Sequence, residues 1–407
     1  MQYYVHELLH PLHSVVSLRS LSHFLSGSLI SLCVVSGHGA TLKVDSKTIP
    51  GLTPKSSIVS HTVRLSGPIE EGDADRLRAV LVRLKAASPL LVDGPLATIE
   101  LSSLGGDLYE GLKIGYLLRE YSVASVVRAK DICLSACALA FLGGTRSRAG
   151  PAFVPSRGIE IGGQVGFHNF VLNANSDQLP PARAGREGLA AGFGLARGGA
   201  AALVRYASTM GIDTAFIARL LGSSPEQWDY VDVAQTFITL QTCPIGLGRI
   251  RESPAVTATN ICNNATAGLN PASPSQARPV TPREGKRQLL EQVQRNIEAF
   301  SVKGPLVAQL KAVLATRDDQ LVDAVYNDLR SAGIPLPELH GALFLVTGYA
   351  AGEFNLACYV SFSRDNPDRF DIVLQGAEGT LKPLQSPPPA CPGVFLYDKD
   401  DMLNPRR

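Results

Sequence analysis

The chain has 407 residues, of which 45% are hydrophobic and 18% are charged, and its formal net charge is +2. This length accommodates two domains with a sizeable core, and the composition is that of a globular protein. The nearly neutral charge gives no electrostatic basis for binding nucleic acid or an anionic membrane surface, so neither partner is expected.

The N-terminus has the organisation of an export signal. Arg19 is followed by an apolar stretch over residues 24–35 and then by small residues. This order is typical of a secretory signal peptide, with cleavage expected after Gly37 or Gly39. We therefore predict a signal peptide or N-terminal anchor over residues 1–40 and a periplasmic or secreted protein. A buried helix remains the alternative for the apolar stretch.

The cysteine count agrees with export. Of the seven cysteines, Cys33 lies in the predicted signal, which leaves six. An even number in an oxidising compartment permits three disulfides, and sequence alone allows 15 connectivities. Free buried cysteines remain an alternative, and no spacing typical of a metal site occurs, so no metal or cofactor is predicted. The simplest prediction pairs neighbours along the chain: Cys133 with Cys137, Cys243 with Cys262, and Cys358 with Cys391.

Strand and helix patterns alternate in the first half of the chain, which predicts an α/β domain over residues 41–264 with parallel βαβ units. Residues 41–60 are polar and rich in turn formers. Alternating or apolar runs predict strands, and apolar residues at helical spacing predict helices. The predicted strands are 61–67, 96–101 and 123–128, and the predicted helices are 73–87, 107–121, 135–142 and 200–221.

The remaining segments are assigned mainly by composition. Residues 173–199 are rich in Gly and Ala and predict a flexible insertion or lid, and 224–240 predict a helix followed by a strand. Residues 265–283 are rich in Ala, Pro, Ser and Thr and predict a linker. The chain beyond, 284–407, predicts a small α+β module of unknown role, with helical patterns at 286–300 and 305–329 and strands at 343–346 and 357–362.

Three short segments carry residues that suit an acyl-transfer site. Ser135 begins a small apolar segment that predicts a buried helix. Gly105 and Gly106 lie between a strand and a helix, where backbone N–H groups can point into a cavity and stabilise an oxyanion. His168 could be the base that a serine nucleophile requires. Taken singly, these residues also fit a helix cap, an ordinary turn and a core histidine.

Together the segments resemble the Clp protease proteolytic subunit family, within the wider Clp/crotonase-like fold. The Ser-Leu-Gly-Gly turn at 103–106 is similar to the family's Ser-Pro-Gly-Gly turn, with Leu104 in place of proline. The segments around Ser135 and His168 are similar to those that carry the family's nucleophile and base. Cys-Leu-Ser-Ala-Cys-Ala with Gly-Phe-His more closely resembles a group of exported bacterial Clp-like proteins. The resemblance covers about residues 60–245.

The resemblance implies a fold and a set of roles. The fold would be Clp/crotonase-like, of stacked ββα units with parallel strands, followed here by the C-terminal module. Ser135 would be the nucleophile and His168 the general base. Backbone N–H groups of Gly106 (or Gly105) and Ala136 would form the oxyanion hole. The family also implies a peptide or protein substrate and a homo-oligomer, and since the sequence contains no ATPase motif, any ATP dependence would need a partner.

The third catalytic residue is not clear from the sequence. The family has an Asp after the long helix, and an ungapped comparison of the segment that begins at Ser224 puts Gln235 at that position. Asp232 and Asp229 lie nearby, and either could serve if the local path differs. A glutamine could orient His168 but would not stabilise the imidazolium as a carboxylate does. In serine proteases, neutralising this acid lowers turnover about 10⁴-fold.

The leading hypothesis is therefore an exported serine hydrolase, specifically a peptidase. The alternative is a catalytically inert Clp-like protein that binds peptides or a partner protein. A Ser–Lys mechanism with Lys130 and a coenzyme A-binding crotonase are further alternatives. Cys133 and Cys137 flank Ser135, where they would either form a bridge that fixes the turn or fill a small packed space as thiols.

Overall fold

The described part of the chain covers the two regions expected from sequence but not the export signal. The computed structural model describes residues 39–50, 57–88, 94–147, 153–169, 186–248, 252–266, 270–299, 305–334, 336–339, 341–351, 354–366, 368–375 and 391–406. The predicted signal lies outside the described residues except for positions 39 and 40. Among the described helices, none is long and apolar enough to cross a membrane.

The first region alternates strands with helices. In chain order the elements are β1 (Thr41–Pro50), β2 (Ser57–Ser66), α1 (Asp73–Ala87), β3 (Ala97–Ser102), α2 (Leu108–Glu120), β4 (Val123–Val127), β5 (Ile132–Leu134), α3 (Ala136–Phe141), β6 (Thr145–Ser147), β7 (Phe153–Pro155), β8 (Arg157–Glu160), β9 (Gln164–Phe167), α4 (Arg186–Met210), α5 (Thr214–Gly222), β10 (Asp229–Tyr230), α6 (Ala234–Thr239) and β11 (Cys243–Ile245).

A six-stranded sheet in the order β1-β2-β3-β4-β8-β11 forms the centre of this region. The pair β1–β2 is antiparallel, and the other pairs are parallel. A three-stranded sheet in the order β10-β9-β5 lies beside it, and a bridge from Ser103 to Cys133 links the end of β3 to β5. The region is thus α/β with a parallel sheet, as predicted, and helices α1 to α6 share its buried apolar core.

Local sequence explains why the helices begin and pack where they do. The side chain of Asp107 accepts a hydrogen bond from the backbone N–H of Glu110 at 2.8 Å, which caps the start of α2. Helix α2 approaches α3 at Gly111, where a Cβ would lie 2.4 Å from the carbonyl oxygen of Ala136. Glycine is required at this position because backbone occupies the space of any side chain.

The second region combines helices with an antiparallel sheet. Its elements are α7 (Pro254–Ala265), β12 (Asn270–Val280), α8 (Pro282–Ala299), α9 (Pro305–Ala315), α10 (Asp319–Ser331), β13 (Leu343–Ala351), β14 (Phe354–Phe362), β15 (Phe370–Gln375) and a 3-10 helix (Pro392–Leu396). The sheet order is β12-β13-β14-β15, with every pair antiparallel. Two buried apolar clusters lie against this sheet.

The last described residues return to the first region. The backbone N–H groups of Leu403 and Asn404 both donate to the carbonyl oxygen of Asp232, at 2.8 and 3.0 Å. The side chain of Asn404 is buried and bonds the backbone of Gly162 and Gly163, each at 2.7 Å. We call residues 398–406 the C-terminal tail. It is integrated into the α/β region rather than into the module that precedes it.

The disulfide predictions are confirmed for one pair and wrong for the other two. Pairing between neighbours along the chain fails because α7 packs against β14, and because Cys391, the N-cap of the 3-10 helix, lies beside β11. The first bridge joins β5 to α3 rather than two turns of one helix. The bridges are Cys133–Cys137, Cys243–Cys391 and Cys262–Cys358.

Four segment predictions also differ from the structure. The predicted linker, 265–283, contains β12, which pairs with β13, so its Pro-rich composition marks an edge strand. The described part of the predicted insertion, 186–199, is helical and belongs to α4. The predicted helix 200–221 breaks at Gly211, which has a φ of 68°. Strand β1 occupies the segment predicted to consist of turns, because polar residues suit an exposed edge strand.

Candidate active site

Ser135 and His168 come together because they follow neighbouring parallel strands. Strands β5 and β9 pair in parallel with Leu134 opposite Gly166, and both end at one edge of the sheet. The backbone N–H of Ser135 extends this pairing by donating to the carbonyl oxygen of Gly166 at 2.9 Å. Because the carboxyl ends of parallel strands meet at the same edge, the residues that follow them become neighbours.

Ser135 lies at a sharp turn from strand to helix. Its backbone has a φ of 55° and a ψ of −122°, a conformation that strongly favours glycine. The turn places Ser135 at the N-cap of α3, but its side chain makes no capping hydrogen bond. The hydroxyl is therefore turned away from the helix and available to His168. This is the geometry by which a strand–turn–helix presents a serine nucleophile.

The two side chains are within hydrogen-bond distance. The Nε2 atom of His168 lies 2.8 Å from the Oγ atom of Ser135. Its Nδ1 atom lies 3.2 Å from the carbonyl oxygen of Pro225. A carbonyl oxygen can only accept, so Nδ1 carries the proton and Nε2 is free to accept the proton of the serine hydroxyl. This is the tautomer that a general base needs.

The segment that carries Pro225 is tied to the end of β9. The side-chain amide of Asn169 donates to the carbonyl oxygens of Leu221 and Ser223, both at 3.1 Å. The next turn is closed by a hydrogen bond from the N–H of Gln227 to the carbonyl oxygen of Ser224, at 3.0 Å. The segment that carries the Pro225 carbonyl is thus held by the Asn169 side chain on one side and by a backbone hydrogen bond on the other.

An aromatic ring covers one face of the imidazole. The rings of His168 and Trp228 stack with their centroids 4.2 Å apart and an interplanar angle of 28°. The pairing of β9 with β10 explains this contact, because Asp229 lies opposite Phe167 and so brings the preceding residue level with His168. The ring of Tyr230 in turn lies 6.0 Å from that of Trp228, also at 28°.

The glycine turn packs directly against the serine turn. A Cβ at Gly105 would lie 2.8 Å from the Cβ of Ser135, and one at Gly106 would lie 2.0 Å from the carbonyl oxygen of Ile69. Both glycines have positive φ, at 105° and 146°. A side chain at either position would therefore force the two turns or their neighbours apart.

Two N–H groups near Ser135 remain free among the described residues. The N–H of Gly105 donates to Ser103 Oγ at 3.1 Å, so it is already used. The N–H of Gly106 has no acceptor within the described part of the chain. Ala136 is the first residue of α3, where an N–H has no acceptor within the helix. The backbone N–H groups of Gly106 and Ala136 are thus available to an oxyanion. The N–H of Gly105 instead stabilises the turn by its hydrogen bond to Ser103.

The structure does not bring the predicted acidic residues to His168. Asp232 pairs with Arg406, its Oδ2 atom lying 3.3 Å from Nε. Asp229 pairs with Arg219 at 3.2 Å. Gln235 is exposed on α6, and its backbone N–H donates to the carbonyl oxygen of Lys399 at 2.9 Å. Each of the three residues therefore contacts a partner other than His168. The group next to His168 Nδ1 is the backbone carbonyl of Pro225.

Lys130 is also separate from the serine. Its side chain is exposed, and its backbone N–H donates to the carbonyl oxygen of Gly162 at 3.0 Å in a turn with a φ of 72°. No described contact joins it to Ser135. The geometry at the serine is therefore that of a Ser–His pair rather than a Ser–Lys pair.

A disulfide spans the serine turn. Cys133 and Cys137 are both fully buried, with Cα atoms 5.1 Å apart, and Ser135 lies midway between them. The bridge links Cys133, within β5, to Cys137 in the first turn of α3. It therefore limits how far the strand and the helix can separate around the serine. Neither sulfur is available as a thiolate nucleophile while the bridge is formed.

An open cavity of about 360 Å³ lies next to the glycine turn. Its wall includes Leu104, which is 73% exposed although it is a large apolar residue, and Ile132 of β5. The volume falls within the range of small-molecule sites. The remaining lining residues are Gly67, Pro68, Ser102, Ser103 and Lys130.

Sequence reasoning missed Pro225 and Trp228. The sequence carries no signal for a backbone carbonyl that accepts a hydrogen bond from a histidine, because every residue has such a carbonyl. Trp228 is the single tryptophan of the chain. The one sequence signal for Trp228 is that it lies in the segment in which the third catalytic residue is expected. Its contact with His168 follows only from the pairing of β9 with β10.

The comparisons with known proteins add no assignment to this geometry. No protein-family model matches the chain, and no curated protein matches it. Among the described residues, no group of three or more His, Cys, Asp or Glu side chains is arranged to hold a metal ion. The functional argument therefore depends on the chemistry of the Ser135–His168 pair itself.

Proposed function

We propose that this chain is a serine hydrolase in which Ser135 is the nucleophile and His168 is the general base. The observation that supports this most directly is the 2.8 Å contact between Oγ and Nε2 in the tautomer fixed by Pro225. A nucleophilic serine requires a base within hydrogen-bond reach, and a base requires a partner that orients it. Here the base is His168, and the group that orients it is the backbone carbonyl of Pro225.

The reaction would proceed by acyl transfer. Ser135 Oγ attacks the carbonyl carbon of an ester or amide while its proton passes to His168 Nε2. The oxyanion that forms accepts hydrogen bonds from the N–H groups of Gly106 and Ala136. The imidazolium then donates this proton to the leaving alcohol or amine as the C–O or C–N bond breaks. Water, deprotonated by the same histidine, hydrolyses the acyl-enzyme and restores the serine.

His168 is oriented by a backbone carbonyl instead of a carboxylate, and this should lower the rate of hydrolysis. The Pro225 carbonyl holds the tautomer, but it has no net charge with which to stabilise the imidazolium. In serine proteases, neutralising the acid lowers turnover about 10⁴-fold while the geometry stays intact. We therefore expect a slow hydrolase whose single acylation is easier to observe than its turnover.

Export and a peptide substrate belong to the same proposal. The three disulfides of the described chain are compatible with an oxidising compartment such as the periplasm or the extracellular space. A peptide bond is proposed as the substrate on the resemblance of the Ser-Leu-Gly-Gly, serine and histidine segments to Clp-type peptidases. Assembly into a homo-oligomer is part of that resemblance and is proposed with it.

The test is covalent labelling of the folded protein with a fluorophosphonate, read by intact mass. We expect one adduct per chain, mapped to Ser135, and no adduct in Ser135→Ala. His168→Ala should slow labelling by a factor of about 10²–10⁴, as expected for loss of a general base. Ser208→Ala, an exposed serine on α4, is the matched control and should label like the parent protein.

A catalytically inert binding protein is the second candidate. It is favoured by one observation, that Asp229 and Asp232 are both engaged by arginines rather than by His168. If the folded protein gives no adduct at Ser135 with compact or extended probes, the hydrolase proposal fails. In that case the glycine turn and the adjoining cavity are better explained as a peptide-binding groove.

A further inference from the structure

The face of the catalytic imidazole is occupied by an indole ring. The centroids of His168 and Trp228 are 4.2 Å apart, and the rings are inclined by 28°. The contact is built into the fold, because the register of β9 with β10 places the two residues level with one another. Both side chains are half-buried, so water is partly excluded from the contact.

The stack continues away from the serine. The ring of Tyr230 lies 6.0 Å from that of Trp228, and the Arg406 guanidinium lies 4.9 Å from the centroid of the Tyr230 ring. Arg406 also pairs with the carboxylate of Asp232. A column of rings therefore runs from His168 through Trp228 to Tyr230, where Arg406 of the C-terminal tail contacts the last ring.

We propose that Trp228 is a positioning residue that takes over two tasks of the missing acid. It restricts rotation of the His168 ring, and its π face stabilises the imidazolium that forms when Ser135 loses its proton. A cation over an indole face within about 6 Å is attracted by the ring quadrupole. This inference rests on the proposed hydrolase function for its effect on rate, but the stack itself can be tested without activity.

Nearby charged groups do not supply this stabilisation. Asp229 is paired with Arg219, and Asp232 is paired with Arg406. Glu226 is exposed, and the Ser224 hydroxyl that donates to its carboxylate lowers its pKa. On the described elements packed against His168, the neutral groups that touch its ring are the Ser135 hydroxyl, the Pro225 carbonyl and the indole.

The first experiment measures the rate of Ser135 labelling by a fluorophosphonate as a function of pH in Trp228→Leu and Trp228→Phe. Leucine fills part of the space without a π face. We expect the plateau rate to fall about three- to tenfold in Trp228→Leu, and the pH of half-maximal labelling to move lower by about half to one unit. The direction follows because a less stable imidazolium releases its proton at lower pH. Phenylalanine should restore most of both quantities.

The second experiment uses fluorescence and needs no turnover. Trp228 is the only tryptophan, so the emission of the whole chain reports on this stack. Protonated imidazole quenches a stacked indole, so emission should show a step to a lower value between alkaline and acid pH. His168→Gln should abolish that step and leave the emission high.

The outcomes separate the two proposals. A fluorescence step that persists in His168→Gln, or a Trp228→Leu variant with the parent's labelling plateau and midpoint, overturns the role of Trp228. A lowered plateau with an unmoved midpoint and no rescue by phenylalanine also overturns it, because that pattern is general loss of structure. If the parent protein shows the fluorescence step but no adduct at Ser135, the stack is confirmed and the hydrolase proposal is what fails.

Discussion

Ser135 holds a backbone conformation that few residues other than glycine adopt. With a φ of 55° and a ψ of −122°, a side chain at this position costs about 1–3 kcal/mol. The surrounding structure imposes the conformation through the Gly166 hydrogen bond on one side and α3 on the other. Strain retained at a single serine that also contacts a histidine is typical of functional sites, where geometry is kept at the expense of stability.

Replacing this serine tests the strain directly. Ser135→Gly and Ser135→Ala both remove the hydroxyl and its contact with His168, but only glycine relieves the backbone. We expect Ser135→Gly to be more stable than Ser135→Ala by about 1–3 kcal/mol in urea unfolding. Both variants should lose labelling. Equal stability of the two would show that the turn is not strained at this residue.

At this scale the sequence predicted that Ser135 and His168 lie together, but not the groups that support the His168 ring. Ser135 and His168 could be found because their flanking segments resemble a known arrangement. The partner of Nδ1 could not, since it is a main-chain oxygen of Pro225 and any residue supplies one. Counting residues along the sequence predicts the third residue at Gln235, Asp232 or Asp229, whereas the actual neighbours of His168 are set by the pairing of β9 with β10.

At the scale of elements, the site depends on how closely α2 approaches α3. The two helices approach closely where Gly111 of α2 faces Ala136 of α3, and a Cβ at Gly111 would lie 2.4 Å from the Ala136 carbonyl oxygen. Ala136 is also one of the two available oxyanion donors. Any displacement of α3 by α2 is therefore transmitted to the serine turn, because Ser135 is the N-cap of α3.

Gly111→Ala is expected to reduce both stability and labelling. The added methyl group meets backbone rather than a flexible side chain, so overpacking should cost about 1–3 kcal/mol. Gly192→Ala in α4 is the matched control, because nothing lies within 4 Å of the added Cβ. In that open helical position alanine should stabilise by about 0.5–1 kcal/mol. Urea unfolding and the fluorophosphonate rate, measured on both variants, decide whether the close approach matters.

The elements that sequence predicted best are those with one apolar face. Helix α1 was predicted over 73–87, the range it occupies, because Leu77, Val80, Leu81 and Leu84 recur at helical spacing and are all buried. Strand β1 was missed because it is a polar edge strand, and β12 because its prolines suggested a linker. Edge strands need no apolar pattern, so their pairing depends on neighbours that are remote in sequence.

For the whole molecule, the C-terminal tail connects the second region back to the α/β region. Disulfide Cys243–Cys391 joins β11 to the residue preceding the 3-10 helix, across 148 positions of sequence. Beyond that helix, the tail lies along α6 and Asp232 and ends beside Tyr230. No local pattern predicts such a return, because the bonding partners are main-chain groups of residues more than 150 positions upstream.

The Asn404 side chain anchors this tail to the turn at Gly162 and Gly163, so its removal tests how the tail is attached to the α/β region. Its buried amide satisfies the Gly162 N–H and the Gly163 carbonyl, both themselves buried. Asn404→Ala leaves these groups without partners, which should lower the free energy of unfolding by about 1–3 kcal/mol. Met402→Ala, at an exposed position of the same tail, should change it by less than about 0.5 kcal/mol.

Loss of the Asn404 side chain should also affect the stacked rings of His168, Trp228 and Tyr230. Without the Asn404 side chain, the tail keeps only its backbone hydrogen bonds and the Arg406–Asp232 ion pair, so the contact of Arg406 with the Tyr230 ring should weaken. We expect Asn404→Ala to become sensitive to limited proteolysis at the tail and to show altered Trp228 emission under native conditions, with Met402→Ala unchanged in both. A variant whose tail becomes sensitive to proteolysis but whose Trp228 emission matches the parent's would show that the contact of Arg406 with Tyr230 does not influence the stacked rings.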